Sequence, residues 1–123
     1  GRRVTAMRTI GNNPQLSRQT QAVASGAITG GKPVLVNTNG TVSQVSGSVT
    51  LTAENYIGIA EDTVATGQSV TVNTKGAVDE NQTSLTAGQL YFVQTDGTLG
   101  IAADDPSVVA GTAVSATKLI VKG

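Results

Sequence analysis

Gly88-Gln-Leu-Tyr-Phe-Val-Gln-Thr-Asp-Gly-Thr-Leu99 is the stretch on which the fold of this chain turns. A glycine opens it, an apolar run follows, a polar turn ends in a second glycine, and a return strand begins. The same pattern occurs as Gly31-Lys-Pro-Val-Leu-Val-Asn-Thr-Asn-Gly-Thr-Val42 and as Gly67-Gln-Ser-Val-Thr-Val-Asn-Thr-Lys-Gly-Ala-Val78. Valine, threonine and aromatic residues suit a pleated sheet, and a period of two places alternate residues on one face. Val34 and Val36 therefore share a face, as do Val70 and Val72, and Tyr91 and Val93 take the matching face of the third copy. Leu90 and Phe92 fall opposite, so that strand is expected to be buried on both sides. Asn39-Gly40 and Asp96-Gly97 are pairs favoured in tight hairpins, where both positions can require positive φ. Lys75-Gly76 keeps only the glycine. Each copy reads as a hairpin.

Working outward, Tyr56-Ile-Gly-Ile-Ala60 resembles Val109-Ala-Gly-Thr-Ala113, and each precedes a polar stretch and an apolar strand. The body therefore reads as two related halves, about 24–78 and 83–123, within a β domain over 23–123. Recurrent glycines and polar turns at short intervals indicate an all-β fold, a small barrel or sandwich of short antiparallel hairpins. Residues 1–22 lack such a pattern and read as an extended N-terminal arm. Pro33, early in its strand, fits a strand start or an edge.

Composition removes whole classes of function. The 123 residues contain no cysteine and no histidine, so the commonest general base and the usual thiolate and imidazole metal ligands are missing. Tyr56, Tyr91 and Phe92 are the only aromatic residues, too few to suggest a stacking platform for sugars or bases. Eight basic residues balance eight acidic ones, but Arg2, Arg3, Arg8, Arg18 and Lys32 all precede Glu54, the first acid. No apolar stretch is long enough to span a membrane, and none is expected to bind one. The start, Gly1-Arg-Arg, carries neither an initiator Met nor an apolar signal core, and fits a processed chain or a piece of a longer one.

No motif carries a reaction. Gly30-Gly31-Lys32 lacks the spaced glycines of a phosphate loop, and a proline and a strand follow its lysine instead of a helix. Glu61-Asp62, Asp79-Glu80 and Asp104-Asp105 are the carboxylate pairs, all expected in solvated loops, with no calcium-loop spacing. Serine and threonine hydroxyls are plentiful, but no nucleophile elbow or activating histidine accompanies them. No catalytic residue, cofactor site or metal ligand is assigned, and the chain is not expected to be an enzyme. Four arginines in the arm give only a modest attraction for nucleic acid. Arg2, Arg3, Arg8 and Arg18 are instead expected to bind a protein partner.

Several stretches together point to a known kind of protein. They are Ala24-Ser-Gly-Ala-Ile-Thr-Gly-Gly31, Val34-Leu-Val36 with its Asn39-Gly40 turn, Tyr56-Ile-Gly-Ile-Ala60, Leu85 to Leu99, and Asp104 to Val121. Over about 24–123 the chain is similar to β-rich modules of virion structural proteins from tailed bacteriophages, found in capsid decoration (cement) proteins and in tail or fibre proteins. The resemblance implies a non-catalytic protein on the capsid surface or tail. It implies self-association, with a trimer favoured, and an N-terminal arm that docks on the major capsid protein or another virion protein. A decoration protein is the first expectation. A tail, neck or fibre module, a host-surface carbohydrate-binding module and an extracellular filament subunit are the alternatives.

Overall fold

In the computed structural model, which describes residues 18–122, strands, turns and loops account for the whole chain, with no helix among the described residues. Ten short strands form two antiparallel sheets packed as a small β sandwich. The first sheet contains β1 (Gln19–Val23), β2 (Pro33–Val36), β3 (Val42–Gln44), β4 (Tyr56–Ala60) and β5 (Ser69–Asn73), in the order β1-β5-β4-β2-β3. The second contains β6 (Val78–Asp79), β7 (Leu90–Val93), β8 (Leu99–Gly100), β9 (Val109–Ala113) and β10 (Leu119–Val121), in the order β6-β10-β9-β7-β8. The two orders are the same permutation, so the second half repeats the topology of the first.

Hydrogen bonds fix the correspondence residue by residue. Gly31 N–H donates to the Ala60 carbonyl at 2.8 Å, and Gly88 N–H to the Ala113 carbonyl at 2.8 Å. Asn37 N–H closes the β2–β3 turn on the Thr41 carbonyl, as Gln94 N–H closes β7–β8 on Thr98. Gly58 and Gly111 mark the same irregularity: the strand register shifts beside each. A Cβ at Gly58 would strike the Asn73 carbonyl, and one at Gly111 the Ile120 carbonyl. Only glycine permits that backbone approach. The structural halves are thus 19–73 and 78–121, displaced toward the N-terminus from the expected 24–78 and 83–123. The displacement has one cause: Gln19–Val23 pairs with β5 from Gln19↔Asn73 to Val23↔Ser69. The expected arm boundary after residue 22 therefore falls inside a strand.

The three twelve-residue copies do not fold alike. Copies one and three are the hairpins β2–β3 and β7–β8. Copy two is a crossover. Its first strand, β5, lies in the first sheet, and its return strand, β6, pairs with β10 in the second, Leu119↔Asp79 and Ile120↔Val78. The difference resides in the turn. Asn39 Oδ1 accepts from Thr41 N and Oγ1 at 3.1 and 2.7 Å, and Asp96 Oδ1 accepts from Thr98 N and Oγ1 at 3.0 and 2.7 Å. These Asx bonds hold the chain in its reversal. Lys75 and Ala77 stand at those positions in copy two and provide neither group, and Gly76 N–H bonds to the Val121 carbonyl of the other sheet. The hairpins also differ from the expected two-residue type. Gly40 N–H and Gly97 N–H bond back three residues, and in each pair only the glycine has positive φ, 86° and 91°. That is a type I turn followed by a left-handed glycine.

Stacking of the halves is head to tail. Val34, Val42, Ala60, Val70 and Val72 of the first sheet enclose Ala24 and Ile28 in one core. A parallel bridge from Ala24 to Val42 draws the two edges of that sheet together around it. Leu35, Tyr56 and Ile59, on the other face, join Tyr91, Val93, Ala113, Leu119 and Val121 of the second sheet in the main core. Tyr91, Ala113 and Leu119 correspond to Val34, Ala60 and Val72. One face of the second sheet therefore covers the opposite face of the first. Fully burying each large aliphatic side chain contributes about 1.5–3 kcal/mol.

Gly40 and Gly97 offer an internal control. Both carry the left-handed strain, about 1–2 kcal/mol for a residue with a Cβ. A Cβ at Gly40 would meet nothing, whereas one at Gly97 would collide with the Val45 carbonyl in the first half. Gly97→Ala is expected to lose at least about 1 kcal/mol more than Gly40→Ala, read from urea midpoints at equal m-value; equal midpoints would refute the tight approach of the β7–β8 turn to Val45.

Candidate functional site

Polar chemistry concentrates at the junction between the halves. Asp79, at the end of β6, is fully buried. Its Oδ1 accepts from Asn73 Nδ2 and Asn81 Nδ2, both at 3.1 Å, and its Oδ2 from Gln82 Nε2 at 2.8 Å and Asn81 N at 3.3 Å. All four donors are neutral amides. Asn73, also buried, receives Gln19 Nε2 at 2.8 Å and donates to Glu61 Oε1 at 2.8 Å. Gln82 Nε2 further reaches the Gly31 carbonyl at 2.7 Å. The network joins β1, β5 and the 31 and 61 turns of the first half to β6 and the segment after it. Burial of a carboxyl is costly unless hydrogen bonds replace water, and here they do. Ala77 and Asp79 are buried while Val78 between them is exposed. That alternation was available in the sequence, next to two amide residues, and marks the signal that the acidic-pair reading passed over.

The three acidic pairs separate in role. Asp79 is a buried strand residue, contrary to the solvated loop expected of it, because its amide partners fold over it. Glu61 and Asp62 are exposed, and Asp62 Oδ2 accepts from Thr71 N at 3.3 Å. Asp104 Oδ2 takes Thr95 N at 2.9 Å and Thr95 Oγ1 at 3.1 Å, while Oδ1 takes Asp105 N at 2.9 Å. The Thr95 and Asp105 amides hold the Asp104 carboxyl below the usual carboxylate range. The Thr98 hydroxyl, then its amide, does the same for Asp96. Tyr56 donates to the Ala110 carbonyl at 3.3 Å, and burial, with the charge of Asp79 second, raises its hydroxyl far above the ordinary tyrosine value. These groups hold turns and strands. Among the described residues no three acidic side chains converge as a metal site would require.

Of the four arm arginines, Arg2, Arg3 and Arg8 lie outside the described residues. Arg18 is exposed at the start of β1; its carbonyl accepts from Thr74 N at 3.2 Å, and its guanidinium lies over Gly76, where a Cβ would meet Nη1 at 2.7 Å. Arg18 thus packs on the crossover turn. Two shallow clefts, of about 340 and 310 Å³, are lined by apolar, amide, hydroxyl and glycine residues around Val49, with no titratable side chain in either.

The outer face of the second sheet was missed by the sequence reading. Leu90 is 36 % exposed and Phe92 half-buried, where burial on both sides was expected. Strand pairings place Val78, Ile120, Thr112, Leu90, Phe92 and Val109 together on this face. Their counterparts in the first sheet include Leu35, Tyr56 and Ile59, all buried in the main core. No protein-family model matches the chain, and no curated protein matches it either.

Asp79→Ala leaves the amides of Asn73, Asn81 and Gln82 without their acceptor. Each unsatisfied buried group costs about 1–3 kcal/mol, so a loss of at least about 3 kcal/mol is expected in denaturant unfolding; a loss below 1 kcal/mol would show that the junction does not depend on Asp79. The depressed acidity of Asp96 predicts a pH effect. A carboxyl whose folded value is lowered contributes stability above the unfolded value, near 3.9, and loses it as pH falls through the folded one. Asp96→Asn keeps the acceptor, as Asn39 does, and removes the titration. The variant is expected to lose less melting temperature than the parent between pH 5 and pH 2.5, and parallel profiles would contradict the role of the Thr98 bonds.

Proposed function

We propose that this chain is a non-catalytic structural protein of a tailed-phage virion, acting as a capsid decoration protein. The supporting observation is the division of its surface chemistry. Carboxyl and amide groups are engaged in holding turns and the junction of the halves, the two clefts carry no titratable groups, and an apolar sheet face stays uncovered. Such a molecule works by binding. The basic segment with Arg2, Arg3 and Arg8 joins the domain at β1, an edge strand exposed along most of its length. An arm leaving a sheet edge can lie along a neighbour, adding main-chain bonds to those of its arginines. In this reading the arm docks on the major capsid protein, and the bodies associate with one another in a cyclic oligomer, a trimer by preference, on the capsid surface.

Immunogold microscopy of phage particles carrying the gene tests this directly. Label over the head is expected; label confined to the tail would replace decoration by a tail role, and unlabelled particles would overturn the virion assignment. Deletion of residues 1–17, which spares β1, is expected to abolish binding to undecorated shells at unchanged melting temperature. Undiminished binding would remove the arm from the mechanism.

A further inference from the structure

We infer that the outer face of the second sheet, centred on Leu90 and Phe92, is the surface through which copies of this chain associate, by meeting the same face on another copy. The inference names the surface for the self-association contained in the proposed function. It comes from the internal repeat. At the corresponding positions of the first sheet, Leu35, Tyr56 and Ile59 are buried, because the second half lies over them. Phe92, Val109 and Thr112 occupy those positions in the second sheet, with Leu90 and Val78 beside them at 36 and 43 % exposure. The face carries no charged side chain, and its one hydrogen-bonding side chain is Thr112. Of the six large apolar residues exposed among the described residues, four belong to the second half: Val78, Leu90, Ile101 and Val114. The excess of exposed apolar surface therefore lies on the half that has no layer outside it.

The nature of the occupant follows from the same comparison. A sheet face of alternating apolar residues packs best on another sheet face, about 10 Å away. Inside the chain the covering layer is the Tyr91, Ala113 and Leu119 face of the second sheet. Its equivalent in the first sheet is closed around Ala24 and Ile28, and so cannot cover a second molecule. The complement that a second copy offers is its own outer face. Copies meeting in this way converge on a symmetry axis and form a closed oligomer. An uncharged face offers nothing to a phosphate backbone and little to a sugar.

Sedimentation equilibrium of the purified chain, with Leu90→Lys and Val78→Lys, tests the inference. Both residues are partly exposed, so the variants are expected to keep the parent's circular dichroism and melting profile in the monomeric state. The parent is expected to sediment as a dimer or trimer. Each lysine is expected to raise the dissociation constant at least about tenfold, about 1.4 kcal/mol, while Val23→Lys, on β1, leaves it unchanged. A parent that is monomeric at every concentration would overturn the inference, as would an oligomer indifferent to Leu90→Lys and Val78→Lys. Neither result bears on particle labelling, so failure here and failure of the virion assignment are separately visible.

Discussion

The buried carboxyl of Asp79 is the constraint on which the arrangement of the two halves rests. It sits where the chain has just crossed from the first sheet to the second, and four amide N–H groups surround it. Those groups come from the end of β5 and from the segment after β6. Satisfying the carboxyl therefore requires both segments to be in place at once. Charge-assisted hydrogen bonds are directional and stronger than neutral ones, so the network selects one stacking of the halves over others that would bury similar apolar area. Apolar contacts supply most of the stabilisation, and the polar junction supplies the register.

Duplication explains why one fold has two unlike surfaces. Each half repeats the same five-strand order, but a head-to-tail stack of two layers must leave its terminal faces in different situations. The first sheet closes its free face around Ala24 and Ile28. The second leaves its own open, with Leu90, Phe92, Val109 and Thr112 along it. Function by association follows from that geometry, since an uncovered apolar sheet face is a binding surface looking for a partner.

Much of this was legible in the sequence. The all-β class follows from valine and threonine alternation between turn glycines, and the kinship of Tyr56–Ala60 with Val109–Ala113 reveals the duplication. The crossover was not legible, because copy two matches the others at its strand positions and differs only at Lys75 and Ala77. Those two residues withdraw the side-chain bonds that hold a reversal, and the return strand then pairs elsewhere. Asp79 was read as loop charge because it adjoins Glu80, whereas its burial depends on Asn73, Asn81 and Gln82 meeting in space. The exposure of Leu90 depends on which face of each sheet the other half covers, a matter of stacking that alternation within one strand leaves open.

The central claim is that the second copy of the repeat joins two sheets and does not close a hairpin. Cross-strand nuclear Overhauser effects decide it. The crossover predicts contacts of Val78 with Ile120 and of Asp79 with Leu119, and none between Val72 and Val78. Observation of a Val72–Val78 cross-strand contact, the equivalent of Val36 with Val42 in the first hairpin, would contradict the account.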